Sequence, residues 1–114
     1  MSIESKESII LARSAEAEWV AVAPGVSSRR LRLDKETGAA TVLLKFEPGT
    51  SFPAHNHPGG EEVYVLEGEI KIGGQTLRAG DYLYTPPDGK HAASTKEGCV
   101  FLLAVPKPIE ILGQ

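Results

Sequence analysis

Several kinds of residue are scarce in this chain of 114 residues, and each scarcity excludes a class of protein. There is one cysteine, Cys99, so an internal disulfide is impossible and a reducing compartment is favoured over a secreted, disulfide-linked fold. No apolar run approaches the roughly 20 residues that a membrane-spanning helix needs. The apolar core near the N-terminus is only Ile9 to Ala12 and follows acidic residues, which is not typical of a signal peptide. These absences predict a soluble, cytoplasmic protein with no membrane partner.

Positive charge is not in excess either. The chain has 12 lysines and arginines against 15 aspartates and glutamates, a formal net charge of -3. Such a chain has no general attraction to a phosphate backbone, so we expect no nucleic-acid partner. The hydrophobic fraction of 41% and the charged fraction of 24% are ordinary for a globular protein, and the length suits one domain.

Glycine and proline, in contrast, are plentiful. Twelve glycines and eight prolines separate short apolar segments at intervals of about 8 to 12 residues, a spacing typical of β-sandwiches and barrels. Gly73 and Gly74 lie between "EIKI" and "QTL", which predicts a two-residue hairpin. No segment after Arg29 has helical periodicity, although Ser14 to Trp19 could form one helical turn. The sequence therefore predicts an all-β fold.

Two predicted strands contain more apolar residues than expected for a strand with one solvent-exposed face. They are "EVYVL" (Glu62 to Leu66) and "VFLLAV" (Val100 to Val105), whereas a sheet with one wet face should alternate apolar and polar residues. We therefore expect the outer face of one sheet to be covered by an N-terminal segment, residues 1–23, or by a second subunit. Because most small oligomers have two-fold symmetry, a homodimer is the favoured interpretation. Residues 24–114 would then form the domain itself.

Two of the three histidines lie close together in "PAHNHPGGEEVYVLEG". His55 and His57 are two residues apart, so on a strand both imidazoles point to the same side. Glu61 follows after Pro58–Gly60, a stretch that can bend sharply and return Glu61 to the same place. His91 is the only other histidine, behind its own turn "TPPDGK". Three imidazoles and a carboxylate suit a divalent first-row metal, although a polar loop before a strand remains the alternative.

The spacing of this stretch resembles the first motif of the cupin family. "GTSFPAHNHPGGEEVYVLEG", from Gly49 to Gly68, matches G(x)5HxH(x)3-4E(x)6G at every fixed position. The six residues before the closing glycine identify the motif acid as Glu61, because Glu62 would break that count. Strand alternation would then direct Glu62 towards solvent.

A second stretch, "GDYLYTPPDGKHAAST", resembles the second cupin motif less closely. Asp88 stands where a glycine is usual, and Thr95 stands where an asparagine is usual. We expect the displaced Gly89 to make the turn, and the threonine to affect local hydrogen bonding without touching the metal site. The motif positions that match are Gly80, Pro86 and His91.

The resemblance implies a fold, a ligand set and two functions. A cupin is a double-stranded β-helix, a jelly-roll-like β-barrel, with one divalent metal such as Fe, Mn, Ni or Zn. The order of motifs from Pro24 to Val105 is similar to the ChrR type, which occurs in a bacterial zinc-binding anti-sigma factor and in small dioxygenases acting on diketones and hydroxyacetophenones. The ligands that the resemblance implies are His55, His57, Glu61 and His91.

Two functions follow from this resemblance. The first is a metal-dependent dioxygenase acting on a small carbonyl or phenolic substrate, for which no catalytic acid or base can be assigned from the sequence. The second is a non-catalytic module that binds metal or a small ligand, as in a sensor. Retention of all four ligands argues against a third class, the metal-free sugar-nucleotide epimerases. Only about 25 residues, without cysteine, precede the resemblance, so we expect no sigma-factor binding.

Three further side chains receive structural interpretations. Cys99 begins an apolar strand and is interpreted as a small buried hydrophobe more readily than as a redox sensor. Tyr82 and Tyr84 share one face of a strand, where we expect them to pack on a sheet face and not to line a pocket.

Overall fold

The computed structural model describes residues 8 to 112, and nearly all of its regular structure is strand. Several of the strands end at glycine- or proline-containing turns expected from the sequence, among them Pro58–Gly60 and Gly73-Gly74. The strands are β1 Val20–Ala23, β2 Val26–Leu33, β3 Ala40–Phe46, β4 Ser51–His57, β5 Glu61–Ile72, β6 Gln75–Arg78, β7 Tyr82–Thr85, β8 Gly89–Ser94, β9 Cys99–Val105 and β10 Glu110–Ile111.

These strands form two antiparallel sheets that share β5. The first sheet has the order β1-β2-β3-β9-β5-β7, and the second has the order β6-β5-β8-β4-β10. The first half of β5 pairs with β7 and β9, and its second half pairs with β6 and β8. The all-β, jelly-roll-like prediction is confirmed. The hairpin at Gly73-Gly74 is confirmed too, because Ile72 pairs with Gln75.

The core lies between the two sheets. Side chains from both inner faces meet there, and burying them supplies most of the driving force for folding. Cys99 is buried among them, as predicted. The core residues are Val26, Phe46, Val63, Val65, Ile70, Ile72, Leu77, Ala93, Cys99 and Phe101.

An N-terminal stretch precedes the strands, and its Trp19 contacts side chains of β2 and β3 in the first sheet. It contains one turn of 3₁₀ helix, Ser14–Glu16, within the stretch predicted to form a helical turn. The Trp19 ring lies under two cations, 4.5 Å from the Arg29 guanidinium carbon and 5.0 Å from the Lys45 ammonium. This stacking covers the outer face at β2 and β3. The predicted N-terminal segment, residues 1–23, is described from residue 8 onward.

Farther along the same outer face, the apolar side chains are open to solvent. In β5, Val63 and Val65 are buried, whereas Tyr64 and Leu66 are 44% and 45% exposed. Tyr82 and Tyr84 lie on the neighbouring strand β7 and are more than half exposed. The strand does alternate inside and outside: Tyr64 and Leu66 on its outer side are apolar, whereas Glu62 on the same side is charged and accepts a hydrogen bond from the Tyr82 hydroxyl at 2.7 Å. The expected cover over these residues is not supplied by residues 8 to 112 of one chain.

Among residues 8 to 112, no helix has both the length and the apolar character needed to cross a membrane.

Candidate metal centre

The second sheet brings the three histidines together. β4 and β8 are antiparallel neighbours, and their register places His55 directly opposite His91. His57 lies two residues further along β4, so its side chain is on the same face as that of His55. The ring centroids of the three imidazoles are 4.7 to 4.8 Å apart. Histidines that lie up to 36 positions apart in the sequence are therefore close together in space.

Glu61 enters the cluster from the first sheet. It is the first residue of β5, and the tight turn between His57 and Glu61 is closed by a hydrogen bond from the Gly60 amide to the His57 carbonyl at 2.9 Å. Gly60 has φ +84°, and a Cβ there would lie 2.6 Å from the Thr85 carbonyl oxygen. This position therefore requires glycine, and the turn delivers Glu61 beside the histidines.

The ligand atoms converge on one point. His57 Nε2 lies 3.1 Å from His91 Nε2 and 3.2 Å from Glu61 Oε1. Glu61 Oε2 lies 2.9 Å from His91 Nε2. One nitrogen from each of the three histidines lies within 4.8 Å of the other two. The carboxylate thus contacts two of the three imidazoles, and all three imidazoles face the same space.

Burial keeps two of these imidazoles neutral. Desolvation lowers the pKa of His57 to about 4, against the opposing effect of the Glu61 carboxylate. Desolvation also lowers the pKa of His55, and the hydrogen bond to Pro53 opposes it. In that bond, His55 Nδ1–H donates to the Pro53 carbonyl at 2.8 Å, which leaves Nε2 as the free acceptor. A neutral imidazole with a free ring nitrogen is the form that binds a metal.

One residue of the site was missed by the sequence analysis. Thr85 is the last residue of β7, lies opposite Glu61 in the sheet and is buried. Its hydroxyl donates to Glu61 Oε2 at 3.2 Å. A signal was available: in "YLYT", Leu83 faces the core, so the alternation puts Thr85 on the same inner face. A small polar residue at an apolar-facing position is a candidate for contact with a buried polar group.

The turn before His91 differs from its prediction in one respect. We expected Gly89 to make the turn, but Asp88 itself adopts the left-handed conformation, with φ 64°. Aspartate tolerates this region better than most residues, which explains how it replaces the usual glycine. Gly89 is needed for space instead, because a Cβ there would lie 2.3 Å from the Thr85 methyl group. The expectation for Gly89 was therefore wrong.

Thr95 takes over the hydrogen bonding at the other unusual motif position. Its hydroxyl donates to the Glu69 carbonyl at 2.5 Å and accepts from the Gly98 amide at 2.9 Å. Thr95 is buried and lies just beyond the last residue of β8, Ser94, whereas His91 lies near the start of that strand. The replacement of asparagine by threonine thus leaves the cluster intact, as predicted.

A cavity of about 390 Å³ opens from the cluster into the space between the sheets. Its volume is at the lower end of the range for small-molecule sites. Among the described residues that line it, none is cationic, and Ser28 is the one polar side chain outside the cluster. Phe52 packs edge-on against His55, with ring centroids 5.2 Å apart. Tyr82 and Tyr84 do not line it, as predicted, although both are more than half exposed and not packed under other side chains.

The cluster fits a divalent metal on chemical grounds. Its donors are imidazole nitrogens and a carboxylate oxygen, which suit Fe, Mn, Ni or Zn. His57 Nε2, His91 Nε2 and the two Glu61 carboxylate oxygens face one another at 2.9 to 3.2 Å, so up to four acceptor atoms share one buried space. Such a concentration of lone pairs is costly in a buried place unless a cation or protons neutralise it. The residues present could therefore hold one ion.

Comparison with known proteins gives a family and relatives. Residues 7 to 107 match the profile of the family described as the ChrR Cupin-like domain. Among curated proteins, the acetylacetone-cleaving enzyme of Acinetobacter johnsonii is 26% identical over 77 residues, which are 68% of this chain and 50% of that enzyme. The chain spans 31% and 50% of the length of the two curated relatives that it matches.

Solved structures share the fold. A candidate acetylacetone dioxygenase of Methylibium petroleiphilum PM1 is similar with a TM-score of 0.89 and 21% identity, covering 97% of this chain and 85% of that one. The complex of Rhodobacter sphaeroides SigE with the anti-sigma factor ChrR contains a chain with a TM-score of 0.71 and 25% identity, covering 82% of this chain and 51% of that one. Both similarities extend over most of the two sheets.

Proposed function

Because the chain belongs to the ChrR cupin-like family, we propose that it is a metal-dependent dioxygenase acting on a small, uncharged carbonyl or phenolic compound. The proposal is carried by one observation: the convergent cluster opens directly into a mostly apolar cavity. The proposed metal set is His55, His57, Glu61 and His91. The likeness to an acetylacetone-cleaving enzyme supports this class of substrate.

Each part of the site has a task in this proposal. A divalent ion held by His55, His57, Glu61 and His91 would supply Lewis-acid polarisation of a substrate oxygen. The Pro53 carbonyl keeps His55 in one tautomer. The apolar walls hold the carbon skeleton of the substrate and exclude water. Because the described lining has no cationic side chain, a negative charge on the part of the substrate that lies away from the metal would have no partner, and such substrates are disfavoured.

The test is oxygen consumption by protein loaded with Fe(II). We expect uptake with some member of a panel of 1,3-diketones and hydroxyaryl ketones, and none with sugar acids. The His57→Ala variant should retain the fold, bind no stoichiometric metal and consume no oxygen. Wild-type protein that held none of Fe, Mn, Ni or Zn stoichiometrically would refute the metal set. If the metal-loaded protein consumed no oxygen with any member of the panel, the hypothesis that it is an enzyme of this class would be refuted.

A non-catalytic binding module is the second candidate. It is favoured by the lack of an acid–base group: outside the proposed metal set, no described residue of the cavity lining is titratable. A chain of the same fold also occurs in the complex of SigE with ChrR. This candidate predicts stoichiometric metal and saturable binding of a diketone, observed as a spectral shift of the Co(II)-loaded protein, without oxygen uptake.

We also propose that the chain forms a homodimer in the cytoplasm through its outer apolar face. We define the tyrosine face as Tyr64, Leu66, Tyr82 and Tyr84, all of which are at least 44% exposed. Exposed apolar side chains on neighbouring strands are typical of interaction surfaces. The single cysteine, buried and unpaired, is consistent with a reducing compartment.

A further inference from the structure

Thr85 and Glu61 form a buried pair across two strands of the first sheet. They are register partners in β7 and β5, and their exposed fractions are 7% and 4%. The Thr85 hydroxyl donates to Glu61 Oε2 at 3.2 Å. Because both side chains are buried and the cross-strand register is fixed, this hydrogen bond does not depend on a flexible surface side chain.

Neither oxygen of Glu61 is left to rotate freely. Oε1 lies 3.2 Å from His57 Nε2, and Oε2 lies 2.9 Å from His91 Nε2. The carboxylate plane is thus set by three neighbours, two histidines and one threonine. Of these, only the threonine is a donor in every protonation state, because a neutral imidazole nitrogen can be either a donor or an acceptor.

Thr85 is itself held firmly. A β-branched side chain has few χ1 rotamers. The Thr85 methyl group lies against Gly89, where a Cβ would be 2.3 Å away, and the Thr85 carbonyl lies against Gly60, where a Cβ would be 2.6 Å away. The two turns that flank the cluster therefore close on this residue from both sides. Its hydroxyl is a preorganised donor.

We propose that Thr85 is a positioning residue for the metal centre, whose hydroxyl holds the Glu61 carboxylate in the orientation that completes the set with His57 and His91. This inference rests on the proposed function, since it needs a metal at the cluster. Residues that hydrogen-bond metal ligands typically change metal affinity by about 10- to 100-fold when they are removed. Thr85 is expected to fall in this range.

The experiment compares Thr85→Val, which keeps the shape and removes the donor, with Thr85→Ser, which keeps the donor. Co(II) and Mn(II) affinities are measured by competition with a chromophoric chelator. We expect Thr85→Val to weaken binding about 10- to 100-fold and to alter the visible spectrum of bound Co(II). Thr85→Ser should bind within about 3-fold of wild type, which corresponds to less than 1 kcal/mol. Wild-type affinity and spectrum in Thr85→Val would overturn the inference.

A double-mutant cycle tests whether Thr85 acts through Glu61. In a Glu61→Ala background, adding Thr85→Val should cause no further loss of affinity. An equal loss in both backgrounds would assign Thr85 a merely structural role and overturn the inference. Whether Thr85→Val folds is judged from the unfolding transition of the metal-free protein. If this variant does not fold, Thr85→Ala removes the same donor without adding an apolar contact.

The outcomes separate this inference from the function on which it rests. Wild-type protein that binds no metal refutes both. Wild-type and Thr85→Val proteins that bind metal equally well refute the role of Thr85 and leave the metal site standing. Weaker binding in Thr85→Val alone, restored by Thr85→Ser, supports both the metal site and the role of Thr85.

Discussion

At the scale of single residues, burial shifts the pKa values of Cys99 and His57 in opposite directions, yet in both cases it favours the neutral form of the side chain. Desolvation raises the pKa of the Cys99 thiol from 9.0 to about 11. Desolvation lowers the pKa of His57 to about 4. A neutral thiol is a poor nucleophile, whereas a neutral imidazole is a good ligand. Desolvation therefore makes the Cys99 thiol less reactive and keeps His57 in the form that binds a metal.

Cys99 should be unreactive in the native protein. Raising the pKa by two units lowers the thiolate fraction at pH 8 about 100-fold, and burial also blocks access. We expect labelling by a disulfide reagent to be at least about 100-fold slower in native protein than in urea-unfolded protein. Native labelling at the unfolded rate would show that the thiol is exposed and would contradict the described core.

At the scale of elements, β5 is the strand on which the fold depends, because its two halves belong to different sheets. Its change of partners occurs near Gly68, which pairs with Cys99 and follows a register shift between Val65 and Glu67. Gly68 has φ +75°, and a Cβ there would lie 2.0 Å from the Gly98 carbonyl oxygen. Gly68, the closing glycine of the first cupin motif, is thus a position where the backbone of β5 lies close against the backbone of Gly98.

Substitution of Gly68 by alanine should be severely destabilising. The left-handed backbone alone costs an alanine roughly 1–2 kcal/mol, and the clash with a backbone carbonyl adds to this. Gly74→Ala is the matched control, because Gly74 has φ +86° but no atom near its Cβ position. We expect Gly74→Ala to lose about 1–2 kcal/mol of unfolding free energy in urea and Gly68→Ala to lose at least about 3. Equal losses would contradict the close approach.

At the scale of the whole molecule, two sheets enclose the cluster and its cavity, and one outer face remains apolar. The enclosed imidazoles make the metal-free protein sensitive to acid. The pKa values of His55 and His57 are both lowered by burial, so the unfolded chain binds protons at a higher pH than the folded chain does. Stability therefore decreases as pH falls through this window.

The pH dependence can be measured on chelator-treated protein. Above about pH 7.5 the imidazoles are neutral in both states, so we expect no effect. Between the unfolded value near 6.5 and the folded value of about 4 for His57, the unfolding free energy should fall steadily. The His57→Asn variant should have a shallower dependence from pH 6.5 to 5. An unchanged slope in this variant would show that other groups control the acid response.

The tyrosine face should determine the oligomeric state. We expect wild-type protein at micromolar concentration to sediment at twice its mass of 12.2 kDa. Tyr64→Glu should dissociate the dimer, because it places a charge on the apolar face. Lys71→Glu is the control, as Lys71 is exposed on the second half of β5. A wild-type monomer, or dissociation by the control alone, would contradict a dimer through this face.

Local features of the chain were largely predictable from the sequence. The hairpin at Gly73-Gly74, the all-β class and the meeting of His55 with His57 depend on turn chemistry and strand alternation, which act over a few residues. The approach of His91 followed from the family resemblance. In each of these cases, the residues that determine the feature are close together in the sequence or belong to a known motif.

Features that depend on register between distant strands were not predictable. The Thr85–Glu61 contact requires the pairing of β5 with β7, which single-strand alternation does not specify. The participation of β5 in both sheets, and the identity of the residues that line the cavity, depend in the same way on the pairing of distant strands. Asp88 was misjudged because backbone conformation at a turn depends on its surroundings, and aspartate and glycine can exchange roles there.

The register of β4 with β8 has a consequence for how the protein folds. His55 and His91 face each other only after strands far apart in the chain have paired, so the full ligand set belongs to the native state and not to early intermediates. A metal that binds the native state alone slows unfolding without accelerating refolding. In a cell, such a chain would acquire its ion after folding, and its lifetime would depend on the supply of free metal.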